Sequence, residues 1–189
     1  MADDDGTTDI TLDTAALRVL AHPTRLALLN RLRQQGPATV RQLAAHFELD
    51  SGAASYHLRR LAAGGLIEED TERGSKRDRW WRALHRISLH DPATAPDSAD
   101  SRAYAQALAL ADGEALRRVA AEVVPVMPDE WFGVSGFMSY MLRMTPGELE
   151  AMKGELLRVV ESYREREPAN GAERVAVHLQ LFPLLADEG

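Results

Sequence analysis

Hydrophobic positions recur along much of this chain with a helical period, and one stretch combines that period with an unusual polar side. In the segment 49–61, Ala54, Leu58 and Leu61 fall at i, i+4 and i+7, the spacing of one buried helical face. The opposite side carries Ser51, Ser55, Tyr56, Arg59 and Arg60 in place of the usual Glu/Lys mixture. Immediately upstream, Thr39 and Gln42 form a capping-box pair ahead of Val40, Leu43, Ala44 and Phe47. Glu48, Leu49 and Asp50 then make a three-residue turn between the two helices. Earlier still, Asp13 or Thr14 caps a short helix through Leu20, and Pro23 opens another whose Leu26, Leu29 and Leu32 point inward until Gly36-Pro37 stops it. Residues 66–71 and 79–84 read as strands, with Trp80 and Trp81 on opposite faces and one of them in the core. Between them lies a turn holding Arg73, Lys76 and Arg77.

Beyond this module the pattern changes. Residues 91–100 turn to Asp, Ala, Pro and Ser and read as a linker. A helical pattern follows from about Arg102 to Val124, with Leu108, Leu116, Val119 and Val123 on its apolar side. Residues 137–144 alternate as a strand, Thr145-Pro146-Gly147-Glu148 starts a helix that should reach Arg166, and 175–181 alternate again. Two strands alone make a marginal sheet, so they should pack on these helices or add to a partner's sheet. The expected fold class is α+β and mostly helical. Residues 1–12 are an acidic disordered tail, 13–90 a winged helix-turn-helix domain, and 101–189 a smaller helix-strand-helix-strand domain for dimerisation or effector binding.

Charge sharpens the division. The chain of 189 residues has net charge -7, yet residues 14–90 balance to +6 while 91–189 balance to -8 and the first 13 residues hold five Asp. A basic module tethered to acidic flanks suits a polyanion partner on one part only. With no cysteine, disulfides and thiolate chemistry are excluded. No signal-peptide pattern and no apolar run of about 18 residues occur, so a cytoplasmic location without membrane contact is expected. Enzyme motifs are missing as well: Gly133-Val134-Ser135-Gly136-Phe137 lacks the last Gly of a nucleophile elbow. No catalytic residue, metal ligand or cofactor is expected.

Several of these residues together carry a family resemblance. Ala21-His22-Pro23-Thr24-Arg25, Gln42-Leu43-Ala44, Ser55 through Leu61, and Gly64-Gly65-Leu66-Ile67 before the hairpin resemble the ArsR-type winged helix-turn-helix regulators. The resemblance implies a homodimeric transcriptional regulator whose recognition helix enters the major groove of double-stranded DNA while the wing touches the flanking backbone. Thr39 and Arg41 stand where metal-responsive members place paired cysteines, so the module looks like a metal-free branch. Residues 144–149, 163–166 and 181–183 are similar to a C-terminal extension in a group of actinobacterial-looking regulators, which points to a bacterial protein.

The expected DNA-binding residues are Ser51, Ser55, Tyr56 and Arg59 in the groove, Arg60 on a phosphate, and Arg73, Lys76 and Arg77 on the backbone or a narrow minor groove. His57 is expected to pack under the wing. Trp131, Phe132, Met138 and Met141 would line an adaptable pocket for a small-molecule effector if they converge, and core packing or a dimer seam explains them equally well. The expected function is a sequence-specific, homodimeric repressor. The competing reading is a winged-helix protein-interaction module without specific DNA binding.

Overall fold

The computed structural model describes residues 8–73, 79–90 and 99–184. These form two compact units, divided between Val126 and Met127. In the first unit the order is β1 (Thr8–Thr11), α1 (Thr14–Leu20), α2 (Pro23–Gln35), β2 (Ala38–Thr39), α3 (Val40–His46), α4 (Ser51–Ala63), β3 (Ile67–Glu69), β4 (Trp80–Ala83), β5 (His85–Leu89) and α5 (Ala99–Arg118).

Each helix start follows from its cap. The Asp13 carboxylate accepts from Ala16 N at 2.8 Å, and Thr39 and Gln42 complete the reciprocal capping box. Pro23 takes the first turn of α2, where the preceding His22 imidazole accepts from Thr24 N at 3.2 Å. Leu26, Leu29 and Leu32 are buried as the spacing predicts, and so are Leu28 and Arg25. The wider burial has a cause: α2 is covered by α4 and β4 and also by α5.

Gly36 ends α2 at φ 79°, ψ -170°, a region that only glycine enters without strain. A Cβ there would meet nothing, so Gly36→Ala tests the backbone alone. The variant should lose about 1–3 kcal/mol of stability, read from the denaturant midpoint at unchanged slope.

Strands β2, β4 and β3 make a three-stranded antiparallel sheet in that order, with Glu69 opposite Trp81 and Thr39 opposite Trp80. Trp81 is buried and Trp80 half-buried, as adjacent strand residues must differ. The tail differs from its sequence reading. Residues 8–11 form β1, which pairs in parallel with β5, because Ile10 and Leu12 alternate with polar residues and pack on the core. Arg33 fastens β5 from α2, with Nε donating to the His85 carbonyl and Nη2 to Ser88 Oγ, both at 2.8 Å. Burial lowers its pKa to about 10.

Helix α5 packs on α1 and α2 within the first unit, so the compact body runs past His90. Its buried face is Tyr104, Ala107 and Ala111, with Leu108 partly buried, whereas Leu116 and Val123 are exposed. Small residues let the helix axes approach, and that selects the alanine face over the expected leucine and valine face. Gly113 does not interrupt it. Arg18 Nε donates to Asp100 Oδ2 at 2.9 Å, and His90 Nε2 is hydrogen-bonded to Ser101 Oγ at 2.7 Å. A π turn at Val119–Val123 and a 3-10 turn at Val124–Val126 finish the unit. Of the expected linker, residues 91–98 lie outside the described residues.

The second unit holds α6 (Asp129–Phe132) and α7 (Pro146–Arg164). Thr145 and Glu148 form the capping box that the sequence announces. The expected strands at 137–144 and 175–181 are not formed: among the described residues, every paired strand belongs to the first unit. Alternation is present in both segments, but a strand exists only when a neighbour takes up its backbone groups.

Candidate nucleic-acid interface

Helices α3 and α4 pack on each other across a turn in which Glu48 adopts φ 53° and Leu49 N donates to the Ala44 carbonyl at 2.9 Å. Asp50 caps α4 by accepting from Ala53 N at 2.8 Å. Ala54, Leu58 and Leu61 are each 0% exposed and fix α4 to the core. Gly64, just past its end, lies where a Cβ would crowd Val19 at 3.1 Å.

The opposite side of α4 is open. Ser51, Arg59 and Arg60 are exposed, Tyr56 is 52% exposed and Ser55 is half-buried. Four-residue spacing aligns Ser51, Ser55 and Arg59 in one stripe, with Tyr56 and Arg60 beside it. Arg59 Nε donates to the Ser55 carbonyl at 3.2 Å, which lays the guanidinium along the helix.

The wing is less freely cationic than its composition suggests. Arg82 pairs with Glu68 at 2.6 Å, Arg79 with Glu69 at 3.9 Å and Arg73 with Asp70 at 3.6 Å. All three arginine side chains remain more than half exposed, so these surface pairs hold them weakly. Lys76 and Arg77 lie outside the described residues.

His57 does not pack under the wing. Its ring meets His22, the cap of α2, with centroids 4.7 Å apart, because α4 crosses the start of α2. Behind them Arg25 is buried and donates through Nε to the Val19 carbonyl and through Nη2 to the Arg18 carbonyl at 3.3 Å, closing the end of α1. His22 and Arg25 escape a periodicity reading, since both face inward from a helix start. The signal available was their place in Ala21-His22-Pro23-Thr24-Arg25. Arg41, exposed on the first turn of α3, is a further cation that spacing alone did not single out.

Burial, followed by the charge of neighbours, lowers the pKa of both His22 and His57 below 6.5; Arg25 acts on each, and His22 on His57. His46 moves the same way, by burial and then by Arg118. A base that binds protons more weakly folded than unfolded contributes its full stability above the unfolded value and loses it as pH falls. The melting temperature should therefore fall as pH drops below 6.5, and His57→Gln should flatten that fall. Thermal melts across the acid range check this.

The expected effector residues do not meet in a cavity. Trp131 is half-buried, while Phe132, Met138 and Met141 are 55%, 72% and 76% exposed and so enclose nothing. Among the described residues no three of His, Asp and Glu come together as a metal set, and no helix is long and apolar enough to cross a membrane.

Residues 20–70, from the end of α1 into the wing, match the family model described as a helix-turn-helix domain. Among solved structures, a possible transcriptional regulatory protein (fragment 1-100) from Mycobacterium bovis is 26% identical, covering 53% of this chain and 92% of that one with a TM-score of 0.34. The solution structure of a homodimeric winged helix-turn-helix DNA-binding domain from Mycobacterium bovis, a possible ArsR-family regulator, is 25% identical over 56% and 84% of the two chains, TM-score 0.34. A possible transcriptional regulator for arsenical resistance is 34% identical over 60% of this chain and 98% of that one, TM-score 0.32. Curated proteins give no match. What places the chain is the family match together with its own order of helices and wing strands. Residues 20–70 belong to the helix-turn-helix domain family, and the order of helices and wing strands around them is that of a winged helix-turn-helix.

Proposed function

We propose that the protein is a sequence-specific DNA-binding transcriptional regulator that acts in the cytoplasm as a homodimer and represses by occupying its operator. One observation carries this reading: α4 is locked by three fully buried residues while its outer stripe of Ser51, Ser55 and Arg59, flanked by Tyr56 and Arg60, stays open. That stripe has the hydrogen-bond donors and the fork geometry that base edges require. Arg60, Arg73 and Arg41 suit phosphates, as do Lys76 and Arg77 by sequence. Two copies about a two-fold axis would address half-sites about 34–36 Å apart.

Sequencing genomic fragments retained by the full-length protein tests the reading. Enrichment of one inverted repeat with that spacing supports it; retention without any shared sequence overturns it. The net charge of -7 favours the second reading, a protein-interaction module whose basic side meets an acidic partner. Retention of no DNA at all, even at low salt, would leave that reading in place.

A further inference from the structure

The second unit has no core of its own. None of its described residues, 127–184, is buried, and sixteen large apolar side chains among them are exposed. At on the order of 100 Å² of apolar surface each, they present roughly 1,500 Å² per chain, against about 300–600 Å² for the largest patch of a typical monomer. A standard specific interface takes about 800 Å² from each partner. So the unit carries ample area for a stable association, and its own described residues do not cover it.

The exposed surface is also ordered. On α7, Leu149, Met152, Leu156 and Val160 follow at three- and four-residue steps as a half-buried stripe. Before it, Met138, Tyr140, Leu142 and Met144 occupy alternate positions of a segment outside any helix or strand, and after it Val175, Val177, Leu179 and Leu181 do the same. Residues 137–144 contain one charged residue, Arg143, and residues 175–184 contain none. Exposed strand edges are normally guarded by charge, and an unguarded edge is a template for pairing.

We infer that residues 127–184 are a homodimerisation module in which two copies of this chain pair their segments 137–144 and 175–182 into one intermolecular sheet covered by the two α7 helices. One chain supplies two strands, which is marginal; two chains supply four strands and two amphipathic helices, enough for a sheet layer and a helix layer to close on one core. A two-fold axis lets the same surface serve both copies. The acidic residues of the unit, Asp129 and Glu130 on α6 and Glu148, Glu150, Glu155 and Glu161 on α7 among them, lie outside 137–144 and 175–182, so two like-charged copies meet through segments that are almost uncharged. The inference shares with the proposed function only the premise of a dimer, and needs none of its DNA contacts.

Sedimentation of the full-length protein, combined with hydrogen exchange read by mass spectrometry, tests it. The expected result is a dimer in which amides of 137–144 and 175–182 exchange on the order of 100-fold slower than free peptide. Leu142→Asp and Leu179→Asp, which change exposed positions of a single chain, should each weaken dimerisation on the order of 100-fold and release that protection, with the unfolding of residues 8–126 unchanged. A monomeric wild-type protein overturns the inference, including one that instead captures a different protein. So does a dimer whose two segments exchange freely, or one that both substitutions leave intact. A dimer held elsewhere would leave the DNA reading standing, and loss of DNA binding with this dimer intact would do the reverse.

Discussion

Leu58→Ala should cost the protein about 2–5 kcal/mol, the larger of its two strongest expected responses. Leu58 is fully buried between Ala54 and Leu61 on α4, in a core shared with Leu17, Leu20, Leu29 and Trp81. Neighbouring helices α1, α2 and α3 all pack against α4, so the cavity cannot close by moving one element. Against a total of about 5–15 kcal/mol for an ordinary domain, that loss is a large fraction. Denaturant unfolding reads it directly. The control is Tyr56→Ala, two residues away and open to solvent, which should change stability by no more than about 0.5 kcal/mol while weakening DNA binding. A reversed pattern would mean that α4 presents its other side.

The second large response is in binding. Arg59→Ala should weaken binding to the cognate duplex by about 1–3 kcal/mol and relax the preference at one base position. Arg59 is exposed, and its hydrogen bond to the Ser55 carbonyl lies at the surface, so stability should barely change. Anisotropy titrations against the duplex and its single-base variants separate the two ways Arg59 can act. Loss at one base position marks a base contact, and equal loss on every duplex marks a phosphate contact.

How far the chain declares itself differs between its two units. In the first, the caps at Asp13, Thr39 and Asp50, the proline at 23 and the spacing of Ala54, Leu58 and Leu61 are local signals, and local signals survive into the fold. What escaped depends on distant parts of the chain. Strand β1 forms because β5 lies alongside it, which five Asp in the first 13 residues conceal. Helix α5 buries Tyr104, Ala107 and Ala111, because the helices it meets decide which side faces in. His57 was read correctly as inward-facing, but its neighbour is His22, thirty-five residues earlier, which no helical period can reveal. In the second unit the alternating segments 137–144 and 175–181 were legible as patterns and yet form no strand in a single chain. A strand needs a neighbour to take up its backbone groups, and alternation alone does not supply one. The outer side of α4 was fully legible; the wing's ion pairs of Arg82 with Glu68 and Arg79 with Glu69 were not, since they depend on strand register.

Acidity outside residues 14–90 makes salt dependence a demanding test. Phosphate contacts release counterions, and affinity then falls steeply with salt, whereas base contacts add a preference that salt does not erase. The central claim, that the open side of α4 reads DNA sequence, is tested most directly by titrating the full-length protein onto its selected duplex and a scrambled one across salt concentrations. The account predicts parallel salt slopes with the selected duplex bound at least about 1,000-fold tighter. Equal affinity for the two duplexes at every salt concentration would contradict it.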